Sequence, residues 1–254
     1  MCIRDRLGKQ LHEKGNVSRL HRKMANVFWN NVGDTGKAKE HHQEALKILE
    51  TEPESVELAS LYEDIAGMVA MGRTGDMTAA LSWGKKALEL AKKLNAHEVI
   101  ARSYLWLGEI LGWLGDRKKS SECFERALKI ALDKGYMETA VWAYDDLAVF
   151  HLRAEDNERR LEYLEKGFEI AKKVGTIDWI SLIGLHLANA YVGMGKINDA
   201  VLLAEESVAL NRKTSNMIQL SWSLGHLGSD YQILGEWCKS EQLYKEALSI
   251  SQRL

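Results

Sequence analysis

Residues 103–132, SYLWLGEILGWLGDRKKSSECFERALKIAL, read as two amphipathic helices joined at Gly115-Asp116. Apolar residues recur at spacings of three and four on both sides of that joint, which places them on one helical face. The stretch itself recurs. Ala127-Leu128 steps back 40 residues to Ala87-Leu88 and forward to Gly167-Phe168, Ser207-Val208 and Ala247-Leu248. The joint repeats as Gly75-Asp76, Gly115-Asp116, Glu155-Asp156, Gly195-Lys196 and Gly235-Glu236, and Gly33-Asp34 lies 42 residues before Gly75. The two extra residues fit best in Met71-Gly72-Arg73-Thr74, as a longer turn. A fixed period of this size signals stacked like units rather than one irregular core.

The first helix of each unit repeats too. Tyr104-x-x-Leu107-Gly108-x-x-Leu111 becomes Tyr144-x-x-Leu147-Ala148-x-x-His151, then Gly184-x-x-Leu187-Ala188-x-x-Tyr191 and Leu224-x-x-Leu227-Gly228-x-x-Tyr231. Upstream it is Tyr62-x-x-Ile65-Ala66-x-x-Val69 and, degraded, Arg22-x-x-Ala25-Asn26-x-x-Trp29. The small residue after the leucine lets a neighbouring helix approach where a larger side chain would overpack. In the second helix Ser120-x-x-x-Phe124 with Ala127 and Ser240-x-x-x-Tyr244 with Ala247 repeat, and Ala80, Ala200 and Ala204 hold small positions.

The pattern resembles the tetratricopeptide repeat family, W-x2-L-G-x2-Y followed by A-x3-F and a second-helix alanine. It departs from it in a period of 40 residues and in lacking the proline after the second helix. Varieties with that longer period occur in bacterial regulators and animal scaffold proteins. HEAT and armadillo repeats have about this length, but the Leu-Gly/Ala step and the Gly-Asp turn favour the tetratricopeptide reading. The resemblance covers nearly the whole chain. It implies an all-α fold, a right-handed α-solenoid of stacked antiparallel helix hairpins.

Composition agrees. Of 254 residues, 46% are hydrophobic and 28% charged, as many amphipathic helices require. The one proline, Pro53, sits where a first helical turn tolerates it. A net charge of −2 gives no general pull toward nucleic acid or membrane. The basic N-terminal run Arg4, Arg6, Lys9, Lys14, Arg19, Arg22 and Lys23 lacks interleaved aromatics and reads as a solvated helix face. Cys2, Cys123 and Cys238 form no C-x-x-C, so neither a zinc site nor a disulfide framework is implied, and the usage fits a reducing cytoplasm. No run is long and apolar enough to span a membrane.

Units are expected at about 17–51, 54–94, 96–134, 136–174, 176–214 and 216–254, with residues 1–15 as the end of a truncated repeat, all in one solenoid. Asn95, Gly135, Gly175 and Ser215 mark the junctions between them. Asparagine and glycine there tolerate the left-handed backbone of a C-terminal cap. Neither end shows the polar capping element a solenoid normally carries. The expectation is a fragment of a longer protein; self-association through the uncapped ends is the alternative.

In tetratricopeptide solenoids the first helices line the concave surface, and ligand contacts come mainly from four positions of each. With Tyr104 as the fourth position, the resemblance implies Arg102, Trp106 and Glu109 in the third unit and Trp142, Asp145 and Asp146 in the fourth. It implies His186 and Asn189 in the fifth and Trp222, His226 and Ser229 in the sixth. Trp142 and Trp222 fall outside the core positions; they are groove anchors or packing against the preceding repeat. Asn189 could serve an extended peptide backbone as donor and acceptor, or simply face solvent. The terminal-carboxylate clamp of chaperone-binding members is absent, and Asp145-Asp146 would suit a basic residue on a ligand. His186 and His226 share a register position, with Asp146 one unit before; a shared metal there would need both rings to lean together. His41 and His42 point to different sides of one helix.

No phosphate-cradling glycine loop, H-E-x-x-H or G-x-S-x-G is present, and no cofactor is called for. The reading is therefore a non-catalytic scaffold that binds a protein or peptide segment along the concave first-helix face. The alternative is a sensory segment of a larger bacterial-type regulator, such as a transcription activator, kinase or cyclase, which binds a small molecule or an inhibitor protein.

Overall fold

The computed structural model describes residues 3–29, 33–72, 75–214 and 216–253, with side chains described from Lys14 onward. The longer turn at Arg73-Thr74, the Ser215 junction, and the side chains of Arg4, Arg6 and Lys9 lie outside the described residues. Among the described residues the chain is all helix. In order the helices are α1 (Ile3–Val27), α2 (Thr35–Leu49), α3 (Val56–Met71), α4 (Met77–Lys93), α5 (His97–Trp113), α6 (Arg117–Lys134), α7 (Met137–Arg153), α8 (Asn157–Val174), α9 (Ile177–Gly193), α10 (Ile197–Thr214), α11 (Met217–Ile233) and α12 (Trp237–Ser251). α1 runs unbroken through Gly15. The stretch read as the end of a truncated repeat is thus continuous with the first helix of the first hairpin.

The Gly-Asp joints have a common geometry. The first residue takes a left-handed backbone, with φ of 86° at Gly115 and 59° at Glu155, where a side chain stands in for glycine. The aspartate that follows caps the next helix. Asp34, Asp76, Asp116 and Asp156 each accept from the backbone N–H three residues on, at 2.9–3.2 Å. One of the orphan donors of α2, α4, α6 and α8 is thereby satisfied.

The chain divides into two compact units, Met1–Lys134 and Gly135–Leu254. Within the first, the hairpins α1–α2, α3–α4 and α5–α6 stack so that α2 meets α3 and α4 meets α5, while the first helices pack α1 on α3 and α3 on α5. Within the second, α7–α8, α9–α10 and α11–α12 repeat the scheme, with α7 on α9 and α9 on α11. Contact with the nearest and next-nearest helix only is the mark of a helical-repeat stack. The repeat leucines hold the seam: Leu107, Leu147, Leu187 and Leu227 are all buried. In the second unit Leu185, Ala188, Val201, Ala204, Val208, Leu220 and Leu224 form one core, and Val141, Ala148, Leu164, Ile183 and Leu187 another.

The small residue after each leucine governs the hairpin. A Cβ built on Gly108 would lie 2.5 Å from the Phe124 ring of the partner helix, and one on Gly228 would lie 3.1 Å from the Tyr244 ring. Phe124 is buried and fixed by its surroundings, whereas Tyr244 is 39% exposed and can give way. Gly108→Val is expected to lose about 1–3 kcal/mol of stability from overpacking. Gly228→Ala is expected to fall within about 1 kcal/mol of the parent, because the helix propensity gained offsets the crowding. Urea unfolding of both variants measures the contrast.

Candidate functional site

A chain of ion pairs runs between the first helices of the first unit. Arg22 on α1 donates to Glu57 at 2.7 Å and to Asp64 at 2.9 Å, both on α3. Asn26 donates to the same Asp64 carboxylate at 3.3 Å. Also on α3, the fully buried Glu63 accepts from α5: from Arg102 Nε at 2.9 Å, from Arg102 Nη2, and from the Trp106 indole at 3.0 Å. Burial opposes both charges. For Arg102 the Glu63 carboxylate and its hydrogen bonds outweigh burial and hold the guanidinium above its ordinary value. The Trp106 ring lies against bare backbone: a Cβ on Gly67 would come within 2.4 Å of it. Arg102 and Trp106, expected as ligand contacts, are therefore engaged inside the unit. Glu109, one turn further along α5, is half-buried.

The second unit is arranged differently. Asp145 on α7 is buried, and its Oδ1 lies 2.6 Å from Nδ1 of His186 on α9. Burial alone would push the His186 imidazole down. The charge and hydrogen bond of Asp145 outweigh it and hold the imidazole above its ordinary value, although the Arg160 charge acts against them. The pair thus adds stability that is complete below pH 6.5 and is lost as pH rises through the raised value. Asp145, expected to attract a basic ligand residue, is already engaged by the His186 imidazole. Asp146 is buried beside it in sequence, and Trp142 is half-buried.

Arg160, on α8, was not legible as a site residue. It is only 7% exposed and reaches toward α9, donating from Nη2 to Asn189 Oδ1 at 2.8 Å and more weakly to the His186 carbonyl at 3.4 Å. Burial pushes the guanidinium down, with no carboxylate to oppose it. His226, on α11, is exposed; burial of its ring and the nearby His186 push its imidazole down. Ser229 and Asn189 are exposed on the same side of their helices, and Trp222 is 59% exposed. His186 Nδ1 is committed to Asp145, and no group of three or more metal-ligating side chains that could hold an ion occurs among the described residues. Asp230 is a further buried acid; burial alone pushes its carboxyl up to about 6.

The repeat register could have exposed both of these residues. Arg160 occupies the column of Ala80, Ser120, Ala200 and Ser240, and Asp230 that of Ala70, Ile110, Phe150 and Ala190. In each column one ionisable residue replaces small or apolar ones.

Tetratricopeptide-repeat family models match residues 101–134, 185–216 and 220–254, which span α5–α6, most of α9 with α10, and α11–α12. The chain carries tetratricopeptide repeats. A curated relative, the outer dynein arm-docking complex subunit 4 of Homo sapiens, is 27% identical over 160 residues, or 61% of this chain. The chain spans 23% of that relative's length. Among solved structures, a Rap protein complexed with Competence and Sporulation Factor superposes with a TM-score of 0.72 at 19% identity, covering 96% of this chain and 65% of that one. The Rap conjugation gene regulator of plasmid pLS20, in complex with the Phr* peptide, gives 0.68 at 16% identity, covering 92% and 73%. At such identities the likeness establishes the fold, a tetratricopeptide-type helical repeat.

Asp145→Asn removes the charge and hydrogen bond that raise the His186 imidazole, so that imidazole should titrate below 6.5 in the variant; histidine Cε1–H NMR across pH 4–9 reads the change. Asp230 carries its proton more readily folded than unfolded, so its ionisation weakens the fold as pH rises from about 4 to above 6. Asp230→Asn should therefore be more stable than the parent at pH 7, by on the order of 1–3 kcal/mol. The gap should close below pH ~4, as denaturant melts at both pH values will read.

Proposed function

We propose that the chain is a non-catalytic binding module that takes an extended protein or peptide segment along the inner face of its first helices. The observation that carries this reading is Trp222. It is a large amphipathic aromatic left 59% exposed on α11, in the unit where exposed Asn189, His226 and Ser229 offer hydrogen bonds from the ligand-contacting positions of the repeat. Such an aromatic buries much area on contact at small entropic cost, while the polar column fixes register. The first unit contributes less, because its inner-face cations are closed by its own carboxylates. Two of the structural relatives carry bound factors or peptides by their own descriptions, which is consistent with the reading.

A second reading keeps the same surface within a larger regulator, where binding of a small molecule or inhibitor protein is relayed to an output domain. One relative is itself described as a gene regulator, which favours it. The two readings differ in what occupies the face, not in where it lies.

Selection of the full chain against a displayed random heptapeptide library, followed by calorimetry with the enriched sequences, tests the proposal. Enriched peptides should bind measurably, and Trp222→Ala should weaken them about 10-fold or more. Unchanged affinity in that variant would remove Trp222 from the binding face.

A further inference from the structure

A guanidinium that is nine-tenths buried normally finds a carboxylate, because an uncompensated charge away from water is costly. Arg160 finds none. Its hydrogen bonds go to two neutral oxygens, Asn189 Oδ1 and the His186 carbonyl, and both leave from Nη2. Nε and Nη1 carry no hydrogen bond among the described residues. No ion pair between Arg160 and a carboxylate occurs among the described residues. Asp145 is held by His186 at 2.6 Å. Asp230 is pushed up by burial and makes no ion pair among the described residues. The Arg160 charge falls instead on His186, whose imidazole it pushes down against the pull of Asp145.

Arg160 also orients Asn189. By taking the amide oxygen it turns the Asn189 NH2 group away, with two donors to offer, on a side chain exposed at the surface. A buried cation with unused donors thus lies beneath an exposed amide donor, with the His226 ring on the next inner helix. We propose that the inner face of the second unit is a receptor for a carboxylate, and that it reads an aspartate or glutamate side chain of an extended segment crossing α9. The carboxylate would accept from Arg160 and from the Asn189 NH2, which suits the planar fork of a guanidinium. A side chain rather than a chain terminus is the occupant because Trp222, on the next inner helix, continues the contact surface beyond α9. The specificity is opposite in sign to that suggested by Asp145-Asp146 in the sequence, because Asp145 is already engaged by His186. The inference rests on the groove-binding reading above.

The experiment uses the full chain and the same random heptapeptide library. Enriched sequences should share Asp or Glu at one fixed position, and replacing that acid by its amide should weaken binding at least about 10-fold. Arg160→Gln should weaken the acidic peptide by a similar factor and leave the amide peptide unchanged, while Arg160→Lys should recover part of the loss. An amidated and a free-acid version of each peptide should bind alike. Peptides selected without an acid, or with lysine or arginine at that position, would overturn the inference. So would an Arg160→Gln loss that is equal for acid and amide peptides, which marks a structural role, or a requirement for the free C-terminus. Enrichment of no peptide at all would sink the groove reading itself and the inference with it.

Discussion

Two helices of a hairpin can approach most closely where one of them carries a small residue at the crossing point, and in this chain a glycine or alanine stands there in five of the six repeats. Gly108 leaves room for the Phe124 ring where a Cβ would sit at 2.5 Å, and Gly228 does the same for Tyr244. The leucine preceding the small residue then turns into the core, and within each unit one hairpin presents the next with the same apolar profile. Burial of Leu107, Leu147, Leu187 and Leu227 follows from that spacing, and so does the direction in which the remaining first-helix residues face. The candidate site is thus a by-product of packing: it draws on what the core does not use on α7, α9 and α11.

This dependence explains what was legible in the sequence. Periodic features arise from steric rules acting identically in each hairpin, so one stretch predicts the others. The joints at Gly115-Asp116 and Glu155-Asp156 adopt one backbone geometry despite the glycine-to-glutamate change, because the following aspartate supplies the cap in both. The helix start could not be read in the same way at Gly15. A glycine at a junction register suggests a break, yet α1 continues through it, since glycine weakens a helix by only about 1 kcal/mol and neighbouring contacts can override that.

Site chemistry was less legible, for a different physical reason. A residue's register predicts the side from which it emerges but not which charge meets it there. Arg102 and Trp106 stand at ligand-contacting positions, yet Glu63, 39 and 43 residues earlier, takes both. Asp145 read as an open acid until His186, 41 residues later, proved to lie on it. Such pairings are set by the angle between neighbouring hairpins, which a repeat pattern does not encode. The reverse case, Arg160, comes from a second helix and enters the inner face through a column otherwise held by alanine and serine.

The two units therefore handle buried charge in opposite ways. In the first, each inner-face arginine is matched: Arg22 by Glu57 and Asp64, Arg102 by Glu63. A closed pair of this kind contributes little to binding, since a ligand would have to displace a carboxylate already desolvated beside its cation. In the second, the carboxylate and the arginine are kept apart, Asp145 with His186 and Arg160 with an amide and a carbonyl. The separation leaves one buried charge stabilised only by neutral dipoles. An arrangement that costs stability when empty gains most when an acceptor of opposite charge arrives, because desolvation of the cation has already occurred during folding. A ligand acid then loses only its own hydration, and discrimination against a neutral isostere follows from the same imbalance.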